Sequence, residues 1–238
     1  MKKLVIIPTY NEKENIRDII SAIFSLEQDF HILVVDDSSP DGTAEIVKAM
    51  QSEFPHHLHL STRKVKDGLG KAYIHGFWWA LQNNYDYIFE MDADFSHNPN
   101  DLPKLLEACQ KADMVIGSRY CKGVNVVNWP MSRVLLSYFA SKYVRLILGI
   151  PIHDTTAGFI CFSRKALENI GLDKIRLKGY GFQVEMKYRA FKKGLNLVEI
   201  PIIFTDRTLG ESKMNGGIIT EAVFGVIKLK LKSLFGTL

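Results

Sequence analysis

Short apolar runs alternate along the chain with segments whose apolar positions recur every three or four residues. Leu4-Val5-Ile6-Ile7 is unbroken, the pattern of a strand buried on both faces. Ile16, Ile19, Ile20, Ile23 and Phe24 then follow at helical spacing and predict one apolar helix face. Ile32-Leu33-Val34-Val35 is the next strand, and Ser38-Ser39-Pro40-Asp41-Gly42 marks a turn before a helix carrying Ile46, Val47 and Met50. A weaker strand over 58–61, a helix over 72–81, a strand over 87–91, a helix around 102–106 and a strand over 114–116 continue the series. Beyond them the pattern predicts a long helix from about 132 to 148, a short strand after 154–158, a helix over 182–191, a strand over 197–204 and a last helix beginning near Gly217.

Strands alternating with helices require βαβ crossovers, so the expected fold is α/β, a mostly parallel central sheet with helices on both faces. Ligands in such sheets sit beyond the carboxyl ends of the strands. Thr9–Glu12, Asp36–Asp37 and Asp92–Asp94 all fall there. With no internal repeat or linker, residues 1–238 read as one domain.

Composition narrows the class. Apolar residues make up 47% and charged residues 24% of 238 positions, which excludes disorder, collagen and coiled coil. Cys109, Cys121 and Cys161 are too few and too scattered for a disulfide framework or a CxxC zinc site, and fit a reduced, cytoplasmic interior. Lys2 and Lys3 lead into too short an apolar run for a signal peptide, and the best candidate span, 134–150, is broken by Lys142 and Arg145. A soluble protein is expected. Charge is unevenly spread: residues 1–118 carry 11 Lys/Arg against 18 Asp/Glu, and residues 119–238 carry 19 against 8. A basic half suits nucleic acid, an anionic membrane, phosphorylated ligands or plain solvent, and the asymmetry alone does not choose.

Asp92-Ala93-Asp94 follows an apolar strand directly. Two carboxylates one residue apart at a strand end can share a divalent cation and the phosphates it neutralises, although turn aspartates look the same in isolation. Asp36 and Asp37 at another strand end favour a metal–nucleotide site. Gly68-Leu69-Gly70-Lys71 fails as a Walker loop, with Val65 and Ala72 at the diagnostic positions, and as a dinucleotide fingerprint, with Tyr73. A tight turn feeding a helix remains. His56, His57 and His59 read as exposed loop residues rather than metal ligands, and His97 and His153 are treated with the same reserve. Arg133, Ser137 and Ser141 line one face of the long helix, with Arg145 further round. That face suits a simple amphipathic surface helix and a seat for a lipid phosphate equally well.

Taken in order, Pro8-Thr9-Tyr10-Asn11-Glu12, Val34-Val35-Asp36-Asp37-Ser38-Ser39-Pro40-Asp41-Gly42-Thr43, Gly68-Leu69-Gly70, Asp92-Ala93-Asp94 and Gly117-Ser118-Arg119-Tyr120 resemble the family 2 glycosyltransferases. Asp154-Thr155-Thr156-Ala157-Gly158-Phe159, the stretch from Gly179 to Met186 and that from Asp206 to Met214 resemble, more narrowly, the dolichol-phosphate (polyprenyl-phosphate) mannose synthases. The resemblance runs from residue 3 to about 222.

This resemblance implies a GT-A type, Rossmann-like fold. It also implies inverting transfer of mannose from GDP-mannose to dolichyl or polyprenyl phosphate, giving a β-mannosyl phosphate. Residues 1–118 would form the nucleotide-binding half and 119–238 the acceptor and membrane-facing half. Pro8, Tyr10, Glu12, Val35, Asp37, Asp92, Ala93 and Asp94 would contact the nucleotide sugar, with Lys178, Arg207 and Lys213 closing over it. Asp92 and Asp94 would hold Mg2+ or Mn2+, with Ser96 at a third ligand position where many members carry Gln. Arg119, Arg133 and Ser137 would receive the acceptor phosphate, and Asp94, Arg119 and Arg207 would be catalytic.

The acceptor phosphate is already anionic, so no general base is required. Peripheral contact with the cytoplasmic face of a membrane is implied, with a small membrane-anchoring subunit as in some members, and no nucleic acid. Many members append C-terminal spans, which 223–238 do not provide. In the last helix Ile218, Ile219, Ala222, Val223, Val226 and Ile227 form an apolar face that suits membrane or core equally. Alternatives are a polyprenyl-phosphate glucosyltransferase using UDP-glucose, transfer to a saccharide, and a non-catalytic nucleotide-sugar-binding subunit.

Overall fold

The computed structural model describes residues 1–207, 217–236 and 238, the first six residues of the last helix as backbone alone. Seven strands form the main sheet: β1 (Lys3–Thr9), β2 (Phe30–Asp36), β3 (Leu58–Thr62), β4 (Tyr87–Glu90), β5 (Met114–Ser118), β7 (Ile160–Ser163) and β8 (Leu197–Pro201). Their order is β3-β2-β1-β4-β7-β5-β8, and only β7 runs antiparallel to its neighbours, β4 and β5. Two short parallel strands, β6 (Val126–Val127) and β9 (Phe204–Thr205), make a second sheet.

Both faces of the central sheet are covered, which is why β1 and β2 read as apolar runs, while the edge strands β3 and β8 carry polar residues and are only partly buried. Successive residues alternate between two cores. Leu4, Ile6, Leu33 and Val35 face one, with α3 (Leu69–Gln82), α6 (Arg164–Ile170) and α7 (Gly179–Lys192). Val5, Ile7, Ile32 and Val34 face the other, with α1 (Ile16–Phe24), α2 (Thr43–Met50) and α4 (Leu102–Cys109). Helix α3 lies close on β1 because Gly76 has no side chain; a Cβ there would meet Ile6 at 2.7 Å. Gly68, at φ +87°, makes the turn that opens α3, as expected of Gly68–Lys71.

Two expectations are corrected. The strand expected over 197–204 is two strands in different sheets. Ile202 still donates its N–H to Ser118 O, at 3.1 Å, and its side chain enters the core; the chain then leaves the main sheet, and Phe204 pairs with β6. Helix α6 was not anticipated, being only seven residues long, with too few turns to show a period.

The long helix α5 (Met131–Leu148) buries only Ser141, Val144 and Leu148. Leu135, Leu136, Phe139 and Leu146 stay exposed. It contacts α8 (Gly217–Leu234), where Tyr143 Oη donates to Val223 O at 3.1 Å. Of the last apolar face, Val226 packs in the core while Val223 and Ile227 are exposed; Ile218, Ile219 and Ala222 lie outside the described side chains. No helix among the described residues is long and apolar enough to cross a membrane.

Candidate functional site

The ends of β1, β2 and β4 converge as the topology requires. Asp36 is a builder of the loops there: it accepts from Thr9 Oγ1 at 2.8 Å and from Ser39 N and Oγ at 2.9 and 2.6 Å. Asp37, beside it, is buried and 3.0 Å from Arg63 Nη1. Those two atoms are not aligned for a hydrogen bond, and neither has a hydrogen-bond partner among the described residues. Burial raises the Asp37 carboxyl against the pull of Arg63. A buried acceptor with unused capacity is what a ribose hydroxyl or base N–H needs. Tyr10 lies under Lys66, whose Nζ is 3.7 Å from the ring centroid. Pro8 lies in β1 opposite Val35, and Val35 and Ala93 are buried in the two cores.

Beyond β4 the chain makes a tight acidic turn. Ser96 N donates to Asp94 Oδ1 at 3.0 Å, and Phe95 between them adopts φ +59°, a left-handed conformation that costs a non-glycine residue about 1–2 kcal/mol. Asp94 Oδ2 is 2.6 Å from Arg207 Nη2, and Arg207 Nη1 is 4.0 Å from Glu12 Oε1. Burial, and next the charge of Asp94, pushes Asp92 up to about 7. Three carboxylates therefore meet one guanidinium in this cluster, and an oxygen donor set with surplus negative charge fits a hard divalent cation.

Beneath this turn, His97 Nδ1 accepts from Asp92 N at 3.3 Å while its ring stacks on Phe159. Burial pulls His97 down to about 4, so it is a neutral acceptor. Glu90, wholly buried, accepts from Gln183 Nε2 at 2.7 Å, and burial pushes it up to about 8.

A second charged cluster lies alongside. Arg119 donates through Nε and Nη2 to the two oxygens of Asp154, at 2.7 and 2.6 Å, and through Nη2 to Thr156 Oγ1 at 2.9 Å. Its guanidinium sits among the rings of Tyr120, Trp129 and Phe204 at 5.2–5.6 Å. Burial alone would raise Asp154, yet Arg119 holds it below its ordinary value. Glu199 Oε1 accepts from Asp154 N at 2.9 Å and fixes that loop. Arg133 Nη1 meets both oxygens of Asp206 at 2.9 Å, with the guanidinium 4.1 Å from the Trp129 ring. Ser137, on the same helix, faces the Tyr120 hydroxyl, which has no hydrogen-bond partner among the described residues.

Strand β9 joins the clusters: Thr205 N donates to Ser96 O at 3.3 Å, and Asp206 N to Val127 O at 3.1 Å. Tyr180 lies within electrostatic reach of Arg119, Arg133, Asp92 and Arg207.

Of the residues singled out from sequence, Glu12, Asp92, Asp94, Ser96 and Arg207 come together, and Arg119, Arg133 and Ser137 gather beside them. Lys178 pairs with Asp67 at 3.5 Å on the exposed rim of the α3 turn. Lys213 lies outside the described residues. Asp154 and Asp206 received no role from sequence, because their arginine partners are 35 and 73 residues away. Their only signal was membership of the quoted motifs. Among the described residues, Asp29, His31 and His57 bring three ligating atoms within 4.8 Å of one another, where β2 and β3 begin and thus at the opposite end of the sheet.

Residues 4–171 match the family described as "Glycosyl transferase family 2". An undecaprenyl-phosphate mannosyltransferase of Micrococcus luteus is 48% identical, over 96% of this chain and 93% of that protein. A polyprenol monophosphomannose synthase of Mycolicibacterium smegmatis is 47% identical over 94% and 85%. A dolichol-phosphate mannosyltransferase of Pyrococcus furiosus is 38% identical over 96% of this chain, which spans 64% of that longer protein. Among solved structures, a glucosyl-3-phosphoglycerate synthase of Mycobacterium tuberculosis bound to phosphoglyceric acid superposes with TM-score 0.67 at 17% identity, over 96% of this chain and 79% of that one. The same enzyme with Mn2+, UDP-glucose and phosphoglyceric acid gives 0.66 at 14% identity, over 96% and 79%. At those identities the likeness is one of fold.

Proposed function

The chain belongs to glycosyl transferase family 2, and from that premise we propose that it transfers mannose from GDP-mannose to a polyprenyl phosphate with inversion. The observation that carries this reading is the pairing of two clusters through adjacent residues, Asp206 holding Arg133 and Arg207 holding Asp94. An enzyme acting on a neutral saccharide has no use for a second arginine cluster next to its diphosphate site. The names of the relatives support mannose and a polyprenyl phosphate.

In this reading Asp37 and Tyr10 hold the nucleoside. Asp92 and Asp94, with Ser96 beside them, would hold Mg2+ or Mn2+, which supplies charge neutralisation on the diphosphate when bound. Arg133 and Ser137 orient the acceptor phosphate, and Arg119 shapes that seat through Asp154. A phosphate oxygen attacks the anomeric carbon, the bond from that carbon to the GDP oxygen breaks, and its electron pair leaves with the diphosphate. Arg207, joined by Lys213 and Lys178, stabilises the developing charge. The nucleophile carries no proton to remove, so the neutral His97 serves as scaffold.

Peripheral membrane contact, with or without a small anchoring subunit, brings the acceptor to the site. The test is transfer of labelled mannose from GDP-mannose to a polyprenyl phosphate, with and without Mg2+ or Mn2+, beside UDP-glucose. Metal-dependent, organic-extractable, mild-acid-labile label from GDP-mannose alone is the expected result. Label only from UDP-glucose would change the donor, and bound nucleotide without product from either would favour a missing membrane subunit or a non-catalytic role.

A further inference from the structure

At the far end of the sheet from the carboxylate turn, β2 and β3 begin beside each other, and their first ladder bond fixes a group of histidines. Ile32 N donates to His57 O at 2.8 Å, which sets His57 against His31, with ring centroids 4.5 Å apart. Asp29 precedes β2 and places Oδ1 3.1 Å from His57 Nε2. Each ring is oriented by a partner on its other nitrogen. His57 Nδ1 is 3.0 Å from Pro55 O, an acceptor only, so Nδ1 carries the proton and the lone pair of a neutral ring lies on Nε2, toward Asp29.

His31 Nδ1 is 2.9 Å from Tyr85 Oη, which is in turn 3.4 Å from His59 Nε2. A relay in which His31 Nδ1–H donates to Tyr85 and Tyr85 donates to His59 leaves the His31 Nε2 lone pair available. Trp79 packs on both His59 and Tyr85 and holds that relay in place. A hydrogen bond on the far nitrogen of each ring is the support that metal-bound histidines use.

We propose that Asp29, His31 and His57 form a binding site for a zinc-class divalent transition metal, separate from the Asp92–Asp94 turn. Two imidazoles and one carboxylate are a donor set suited to zinc rather than to magnesium. Tetrahedral zinc with bonds of about 2.0 Å sets its ligand atoms roughly 3.3 Å apart. The Asp29–His57 pair already stands near that spacing, and the 4.8 Å limit for the group leaves a shift of at most roughly 1.5 Å, within reach of side-chain rotation. Asp29 and the His57 ring are open to solvent, so an ion can enter, and the fourth position is left to solvent. The bound ion ties the start of β2 to the connection between α2 and β3.

The test uses the full chain carrying Asp92→Asn and Asp94→Asn, which silences the other acidic site, with Zn2+ alone as probe in equilibrium dialysis. One equivalent is expected to bind. At a hundredfold excess over its Kd, Zn2+ should raise the melting temperature by about 5 °C or more. Adding His57→Gln or His31→Gln should weaken binding at least about tenfold. Co2+ in the same parent protein should show the intense visible bands of a tetrahedral site with nitrogen ligands, a readout independent of how the histidine variants fold. Absence of stoichiometric Zn2+, or binding that survives loss of both imidazoles, would overturn the proposal and leave an Asp29–His57 ion pair only.

Discussion

Asp206 and Arg207 are joined by one peptide bond yet face different charges: Asp206 grips Arg133 at 2.9 Å, and Arg207 grips Asp94 at 2.6 Å. Consecutive Cα atoms are about 3.8 Å apart, so this dipeptide fixes the separation of the two clusters more tightly than any packing between elements. Its backbone is held in turn by β9, which lies between the Asp94–Ser96 turn and β6.

Arg207 therefore competes with any cation for Asp94. Arg207→Ala should tighten Mn2+ binding several-fold without nucleotide, read by electron paramagnetic resonance, while lowering mannosyl transfer by about 100-fold or more. A purely structural arginine would move neither in that pattern. Asp94→Ala should abolish transfer with an unchanged circular dichroism spectrum, and full metal-dependent turnover in that variant would sink the site assignment.

The Arg119–Asp154 pair is nearly solvent-free, with side-chain exposures of 6% and 0%. Asp154→Asn keeps the shape but leaves Arg119 without its counter-charge. The expected loss of stability is about 3–5 kcal/mol by chemical denaturation, since one member of a buried pair is far costlier to remove than the pair is worth. Arg119→Lys should also destabilise, because an ammonium cannot reproduce the two-pronged contact.

The central strands β1 and β2 were legible because burial on both faces writes them as apolar runs, and Asp92–Asp94 because a parallel sheet puts its ligands at strand ends. Arg119 was expected to receive phosphate directly. The structure adds that its Nε and Nη2 are held by Asp154 and Thr156, a brace no local pattern could reveal across 35 residues or more. The histidines of 56–59 read as exposed loop residues, yet His59 is a half-buried residue of β3; its partner Tyr85, just before β4, and His31 of β2 are distant in sequence. The split after Pro201 was hidden for another reason: Ile202 and Phe204 are as apolar as any strand, and only pairing with β6 separates them.

His97 makes stability depend on pH. Buried, it titrates near 4, against 6.5 for an ordinary imidazole. Between those values the unfolded chain binds the additional proton. Stability is therefore complete above about pH 6.5 and falls as pH drops toward 4, by up to roughly 3 kcal/mol. His97→Gln keeps an acceptor for Asp92 N and removes the titration. The difference in unfolding free energy between the two proteins should shrink steadily on acidification, measured by urea denaturation from pH 7 to 4; a constant difference would exclude His97 as the source.

Helices α5 and α8, with Phe235 just after α8, present Leu136, Phe139, Leu146, Phe224, Leu231 and Phe235 to solvent, each at least 49% exposed. The same two helices also carry Lys142, Arg145, Lys228 and Lys232. On the proposed function, such a surface would lie in the headgroup region of an anionic bilayer. It also borders the proposed acceptor seat, since Arg133 and Ser137 open the same helix that carries Phe139 and Leu146. Replacing Phe139 and Phe224 with Ser removes buried area only if a membrane covers them, so thermal stability should hold while partitioning onto vesicles containing anionic lipid falls about tenfold or more. Raised salt should weaken binding of the unaltered chain, because each basic residue near the surface contributes about 1 kcal/mol through a screened field. Transfer to a short, water-soluble polyprenyl phosphate should survive the double substitution, whereas transfer to a long chain in vesicles should not. Equal loss on both acceptors would place these phenylalanines in the reaction itself rather than in the approach to it.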